Sequence, residues 1–302
     1  MNWPADAARF VDPGPMTELE LGDHRIVSLS GDPERIAEIL HGVLIHEFLG
    51  SLYGVEIELG SDAVNLHRAR DILSLAGDAP LHEVRTPAER VPSNCRQFSV
   101  VATALLRAAG VPARARCGFG AYFVPGQLED HWVVEVWDAA VGRWRLVDAQ
   151  ADEIQRRAMS ITVDVLDLPR DAFVVAGDAW LGHRSGTIDA DRCGLTVLDE
   201  HGDWWIAANL IRDVASLLGV ETRPWDVWGA MREPGEAIPD DDLSLYDRLA
   251  ALSVGGLSGG TPSAADLDAL AELVAGDDRL RIPDEVFNAT RGRVEPLPRM
   301  GG

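Results

Sequence analysis

The stretch from Asn94 to Gly110, NCRQFSVVATALLRAAG, constrains the fold more than any other part of the chain. Phe98, Val101, Ala102, Leu105, Leu106 and Ala109 recur at the spacing of one helix face. Asn94 suits an N-cap, and Gln97 stands three residues on, as in a capping box. Gly110 suits the left-handed residue that stops a helix, with Pro112 beyond it. Cys95 is therefore predicted to be the first residue inside the helix. After Pro112 the period changes to two. ARARCGF (113–119), HWVVEVW (131–137) and RWRLVD (143–148) read as strands, the last two forming an antiparallel hairpin around DAAVG. Between the first two strands, GAYFVPGQLED is a loop long enough to border a cleft.

The remaining segments are less sharply patterned. Residues 1–30 read as extended, with a strand at 24–29. Asp32 and Pro33 read as the N-cap and first residue of a helix that ends near Gly50 or Gly54. A second helix is predicted over about 62–76, stopped by Gly77. RTPAERVPSN follows as a loop because its prolines oppose helix. Downstream, EIQRRAMSI reads as a short helix and AFVVAGDAWLGHRSG as mixed. A helix from about 206 to 218 precedes a tryptophan-rich turn, RPWDVWGAM. Helices at 241–252 and about 264–275 flank a flexible SVGGLSGGTPS, and RVEPLPRMGG reads as a loose end.

A chain of 302 residues can bury a sizeable core in one large domain or two. The 49 acidic against 27 basic side chains give a net charge of -22, which disfavours nucleic acid and anionic lipid, since both require a basic face. Such a charge would attract cationic amines, but a solvated acidic surface is the simpler reading. No run of about 18 apolar residues occurs, so no membrane span is expected. The N-terminus lacks a basic segment followed by an apolar one, so no secretory signal is expected and cytoplasm is the expected location. Cys95, Cys117 and Cys193 are widely separated, with no CxxC pair. Neither a disulfide framework nor a zinc knuckle is indicated, and free thiols in a reducing compartment are expected.

Placement makes Cys95 the candidate nucleophile. Helix-terminal amides and the macrodipole favour a thiolate there, and the same amides suit an oxyanion. Asn94, Arg96 and Trp132 are further oxyanion or cleft candidates, and Arg96 would add positive potential. If Trp137 pairs with Gly142 across the hairpin, His131 and Asp148 stand directly opposite each other, with Cβ atoms about 4.5–5.5 Å apart. A carboxylate so placed could hold one imidazole nitrogen and leave the other for the thiol. A one-residue slip would separate them onto opposite faces. Asp130 is a rival acid, but neighbours on a strand face opposite ways, and Trp132 for the same reason packs beneath the sheet. His41 and His46 are five apart and do not match the four-residue spacing of HExxH, so no metal site is expected. The acidic run 239–242 reads as a helix cap at Asp241 or Asp242. Trp204, Trp205, Trp225 and Trp228 read as core rather than as a ligand platform.

NCRQFSVVATALLRAAGVPARARCGFGAYF, then DHWVVEVWD, then RWRLVDAQ together resemble the core of the transglutaminase-like superfamily. The likeness covers about 85–152, and the whole chain is similar to bacterial relatives of that core. The family commonly has Gly or Trp before its Cys, where this chain has Asn94. The resemblance implies an α+β, papain-like fold with a nucleophile helix packed on an antiparallel sheet and mostly helical C-terminal additions. Residues 1–84 would pack on a catalytic core of 85–152, and 153–302 would extend the same globule. It also implies Cys95 as nucleophile, His131 as base and Asp148 as orienting acid. The expected activity is acyl transfer through a thioester, without a cofactor, on a peptide, protein or small amide. Water or an amine acceptor would resolve the thioester. A non-catalytic binding protein on the same fold is the alternative.

Overall fold

Capping chemistry organises the first half of the chain. The computed structural model describes residues 3–20, 22–26, 30–256 and 260–300. Two compact units are present: Met1–Ala115, Trp132–Leu168 and Pro298–Gly302 form one, and Arg116–His131 with Pro169–Leu297 the other.

In the first unit, a short helix α1 (Ala5–Ala8) precedes a turn in which the Ile26 amide donates to the Asp23 carbonyl. Residues 24–26 thus form no strand, and 27–29 lie outside the described residues. Asp32 accepts from the Glu34 amide and Pro33 opens helix α2 (Pro33–Val43), as the sequence predicts. The helix ends earlier than expected. Leu44–His46 forms strand β1, paired in parallel with strand β2 (Val91–Ser93). A 3-10 turn then runs over Glu47–Tyr53 to Gly54 at φ 72°.

The helix expected over 62–76 is also broken, into a 3-10 turn at Ala63–Asn65 and helix α3 (Ala69–Ser74). The segment between the two is tied to a distant part of the chain through its backbone carbonyls. Side chains at the start of helix α4 (Cys95–Ala108) claim them: Gln97 donates to Ala63 and Leu66, Asn94 to Val64, and Arg96 to Leu66 and His67. Of these oxygens, that of Ala63 also accepts the Leu66 amide, which closes the 3-10 turn.

Helix α4 is buried on nearly all sides. Val100, Val101, Ala102, Leu105 and Leu106 are wholly covered, and each larger apolar side chain contributes about 1.5–3 kcal/mol. Its polar residues Ser99 and Thr103 donate their hydroxyls one turn back, to Cys95 and Ser99 carbonyls at 3.0 and 2.7 Å. Gly110 ends it at φ 78°, where the Val111 amide reaches the Leu106 carbonyl.

Three strands follow: β3 (Ala113–Gly120), β4 (Leu128–Asp138) and β5 (Arg143–Val147). Within the first unit β4 and β5 form the expected antiparallel hairpin, and helix α5 (Glu153–Ala158) lies beyond it. The buried Arg114 guanidinium donates to Glu135 at 2.7 Å and stacks over Phe10 and Trp144. That face of the hairpin is therefore sealed by a desolvated ion pair between aromatic rings.

In the second unit, Gly118–Gly120 of β3 pairs antiparallel with strand β6 (Phe173–Val175). Leu128 and Glu129 of β4 pair in parallel with strand β7 (Cys193–Leu195), which pairs with strand β8 (Glu200–His201). The sheet order is β6-β3-β4-β7-β8, with β5 on β4, so the expected antiparallel sheet is mixed at β7. Helices α6 (Ala176–Ser185), α7 (Asp203–Leu217), α8 (Asp240–Ser253) and α9 (Ala264–Gly276) supply the expected helical addition. Arg116 grips Asp213 of α7 through two bonds of 2.9 and 2.8 Å, both side chains fully buried. Trp205 and Trp228 are core residues, whereas Trp204 and Trp225 are half-buried.

Two expectations change here. No aspartate side chain caps α8. Pro239 holds that position, and Asp242 accepts from Arg232 and Arg279 instead. The chain end is not wholly loose, since strand β11 (Arg293–Pro296) pairs with strand β10 (Glu285–Asn288), which also pairs with strand β9 (Asp226–Val227). Charge holds it: Glu295 accepts from Arg223, Asn288, Arg291 and Arg293. Among the described residues no helix is long and apolar enough to cross a membrane.

Candidate functional site

Cys95 is the first residue of α4, as the sequence predicts. Both halves of the capping box form: the Gln97 amide donates to Asn94 Oδ1 at 3.1 Å, and the Asn94 amide to Gln97 Oε1 at 3.2 Å. Cys95 is buried, with 7% of its surface exposed. Asn94 and Arg96 were singled out as cleft candidates, and both are tied into the first unit. The Asn94 side chain spans the Gln97 amide and the Val64 carbonyl. The buried Arg96 guanidinium donates to the His67 carbonyl at 2.7 Å. These residues hold the segment 63–67 against the start of the helix that carries Cys95.

Asp148 stands just past the end of β5 and is 1% exposed. Its Oδ1 accepts from the Gln150 and Ala151 amides at 2.9 and 3.2 Å, and its own amide donates to the Val165 carbonyl. A carboxylate fixed by two backbone donors is oriented independently of any side-chain partner. The strand register differs from the one expected. Trp137 pairs with Trp144 rather than Gly142, a shift of two residues, and β5 ends at Val147. Continued by one residue, this register sets Asp148 level with Val133 and not with His131. Because alternate residues share a face, a two-residue shift leaves the face of position 148 unchanged, whereas a one-residue slip would reverse it.

His131 is 3% exposed and lies in β4 at the end of the second unit's segment Arg116–His131. Its aromatic neighbours there are Phe123, Tyr122 and Phe173. The sequence marks the 120–130 loop as a border but not these rings, and the one signal for them is the adjacent pair Tyr122-Phe123 two residues after Gly120. The rival acid Asp130 is occupied. Asn209 Nδ2 donates to it at 2.5 Å, and burial pushes its carboxyl above the usual carboxylate range despite that bond and the nearby Arg212 charge. Trp132, the third cleft candidate, is 1% exposed, and its indole Nε1 has no hydrogen-bond partner among the described residues.

The sequence offers His41 only as a metal-ligand candidate. It lies near the Asp148 and Asp152 carboxylates in the first unit. Burial holds its imidazole below the ordinary histidine value, against the pull of those two charges. Asp152 in turn accepts from the Tyr53 hydroxyl at 2.7 Å, and Gln155 donates to that same hydroxyl. Among the described residues no three of His, Cys, Asp and Glu gather to hold a metal ion.

A cavity of about 510 Å³ opens at the opposite end of α4, lined by Thr17, Glu20, Asp23, Ala104 and Arg107 among others. It contains no cysteine or histidine, so size alone does not locate the chemistry.

Residues 75–149 match the family model described as the transglutaminase-like superfamily. No curated protein matches the chain. A solved structure from Cytophaga hutchinsonii, described as a "putative cysteine protease", is 18% identical over 59% of this chain and 50% of its own length, with a TM-score of 0.35. The chain therefore spans half of that protein, and a superposition that loose transfers nothing from one to the other. Cys95, His131 and Asp148 all fall within the matched segment. The α+β chain carries a transglutaminase-like core at residues 75–149.

Proposed function

We propose that the protein is a cysteine-dependent acyl-transfer enzyme acting on amide or peptide carbonyls. The observation that carries this reading is Cys95 as the opening residue of a capped, buried helix inside the transglutaminase-like segment. Its thiolate adds to the carbonyl carbon, and the helix-terminal amides face the oxyanion that develops. His131 takes the thiol proton and returns it to the departing nitrogen. The carbon–sulfur bond forms, the carbon–nitrogen bond breaks, and an amine leaves. Asp148, held by two backbone amides, orients the imidazole. Water or a second amine then attacks the thioester and releases the Cys95 thiolate. Water exclusion decides between these two fates.

The test is intact-mass analysis after incubation with glutamine-containing peptides, with and without an added amine. Peptide deamidation identifies a hydrolase and amine incorporation a transferase. An unchanged peptide pool, with Cys95 no more reactive than Cys117 toward a thiol reagent, would leave the binding-protein reading in its place.

A further inference from the structure

Around His131 gathers a set of side chains that the proposed chemistry does not use, all of it within the second unit. The Phe123 ring stands at 71° to the imidazole with centroids 4.7 Å apart. Tyr122 lies at 6.3 Å and 88°, and Phe173 at 6.2 Å and 72°. Tyr122 and Phe123 also touch each other, at 4.3 Å. Both residues are half-buried.

The backbone is built to admit these rings. A Cβ on Gly120 would lie 2.5 Å from the Phe123 ring. One on Gly118 would lie 2.3 Å from the Val174 carbonyl oxygen and 3.1 Å from the Phe173 ring. Any larger residue at either position would push the aromatic group away. The loop carrying Tyr122 and Phe123 is anchored as well. Its Ala121 amide donates to the Ala172 carbonyl at 2.8 Å, and Arg192 Nε donates to the Gly126 carbonyl at 2.5 Å. The two carboxylates preceding His131 are engaged elsewhere: Glu129 accepts from the Thr196 amide and hydroxyl, and Asp130 from Asn209. The ring neighbours of the imidazole in this unit are Phe123, Tyr122 and Phe173.

We infer that Tyr122 and Phe123, backed by the buried Phe173, form the subsite for the nitrogen side of the amide, and that it selects an amine component bearing an aromatic ring. The inference rests on the role of His131 proposed above. A group that protonates the departing nitrogen lies within hydrogen-bond reach of it. Rings packed on that imidazole therefore meet whatever the nitrogen carries. A substrate ring gains edge-to-face or offset contact there.

The test separates binding from turnover. Cys95→Ala protein is titrated with N-benzylacetamide, N-butylacetamide and monoacetylputrescine while the His131 ring signals are followed by NMR. N-benzylacetamide is expected to shift those signals and to bind about five- to tenfold more tightly than N-butylacetamide. Phe123→Leu should bring the two within about twofold, and Phe123→Tyr should keep the preference. Equal binding, no response at His131, a stronger response to monoacetylputrescine, or a preference that survives Phe123→Leu would each overturn the subsite. Turnover of N-benzyl amides by the unsubstituted protein is scored separately. Turnover without the aromatic preference removes the subsite and keeps the acyl-transfer reading. The preference without turnover or an acyl-Cys95 adduct keeps the aromatic subsite and removes that reading.

Discussion

Trp137 stands directly opposite Trp144 across the β4–β5 hairpin, the two rings 5.6 Å apart and nearly perpendicular. This pair fixes the register and hence the position of Asp148 one residue beyond β5. Trp144 also meets Phe10 edge-on at 5.7 Å and lies beneath the Arg114 guanidinium. Trp144→Ala is expected to cost about 3–5 kcal/mol, as large aromatic truncations in cores do. Urea denaturation should show a lower midpoint with an unchanged slope. A loss below about 1 kcal/mol would mean that the register is held by other contacts.

Asp148 offers a separation of structural from chemical roles. Asn keeps the oxygen that accepts from the Gln150 and Ala151 amides, so Asp148→Asn should change stability by less than about 1 kcal/mol. Activity should fall by about 10³- to 10⁴-fold, because a neutral amide does not hold the imidazole in its working tautomer. Asp148→Ala should add a stability loss of about 1–3 kcal/mol by stranding two buried donors. Full activity in Asp148→Asn would remove Asp148 from the mechanism.

Asn94 ties the helix start to the segment before it. Asn94→Ala removes both the cap on Gln97 and the bond to Val64, for a loss of about 1–2 kcal/mol. The Cys95 thiolate fraction at neutral pH should fall with it, read as slower alkylation. Asn94→Asp, which keeps the cap acceptor but has no donor for the Val64 carbonyl, should recover only part of the stability.

The three thiols should differ sharply in reactivity. Burial pushes the Cys193 thiol up to about 12, and Cys117 is wholly covered. A small alkylating reagent at pH 8 should therefore add once to the native protein, at Cys95, and three times after denaturation. Peptide mapping that finds the fast adduct on Cys193 would contradict this.

Acid stability should depend on Glu295. Burial raises its carboxyl pKa, but the hydrogen bonds from Asn288, Arg223, Arg293 and Arg291 outweigh burial and hold it well below its ordinary 4.5. A depressed folded pKa contributes stability that is complete above 4.5 and is lost as pH falls through the folded value. Glu295→Gln should therefore destabilise the protein at pH 7, and the difference from the parent should shrink steadily below pH 4.5. A difference that stays constant into strong acid would assign the effect to packing instead of charge.

Local chemistry was legible in the sequence. The capping box at Asn94 and Gln97, the stop at Gly110 and the change to period two after Pro112 each concern neighbours in the chain, and each appears as written. So do the Asp32-Pro33 helix start and the β4–β5 hairpin. Cys95 is named from its place at a helix start, whereas His131 and Asp148 rest on an assumed register, two residues from the observed one, and on the resemblance to the transglutaminase-like core. Tertiary structure decided what depends on partners distant in sequence. The helix expected over 62–76 is broken where side chains some 30 residues later bond to its backbone carbonyls. The hairpin register follows ring packing between Trp137 and Trp144, which alternation does not specify to within two residues. The aromatic surroundings of His131 need Phe173, 42 residues away, brought beside it by the pairing of β6 with two glycines of β3. Propensity and capping act over a few bonds and are written locally, whereas register and packing are settled only when separate segments meet.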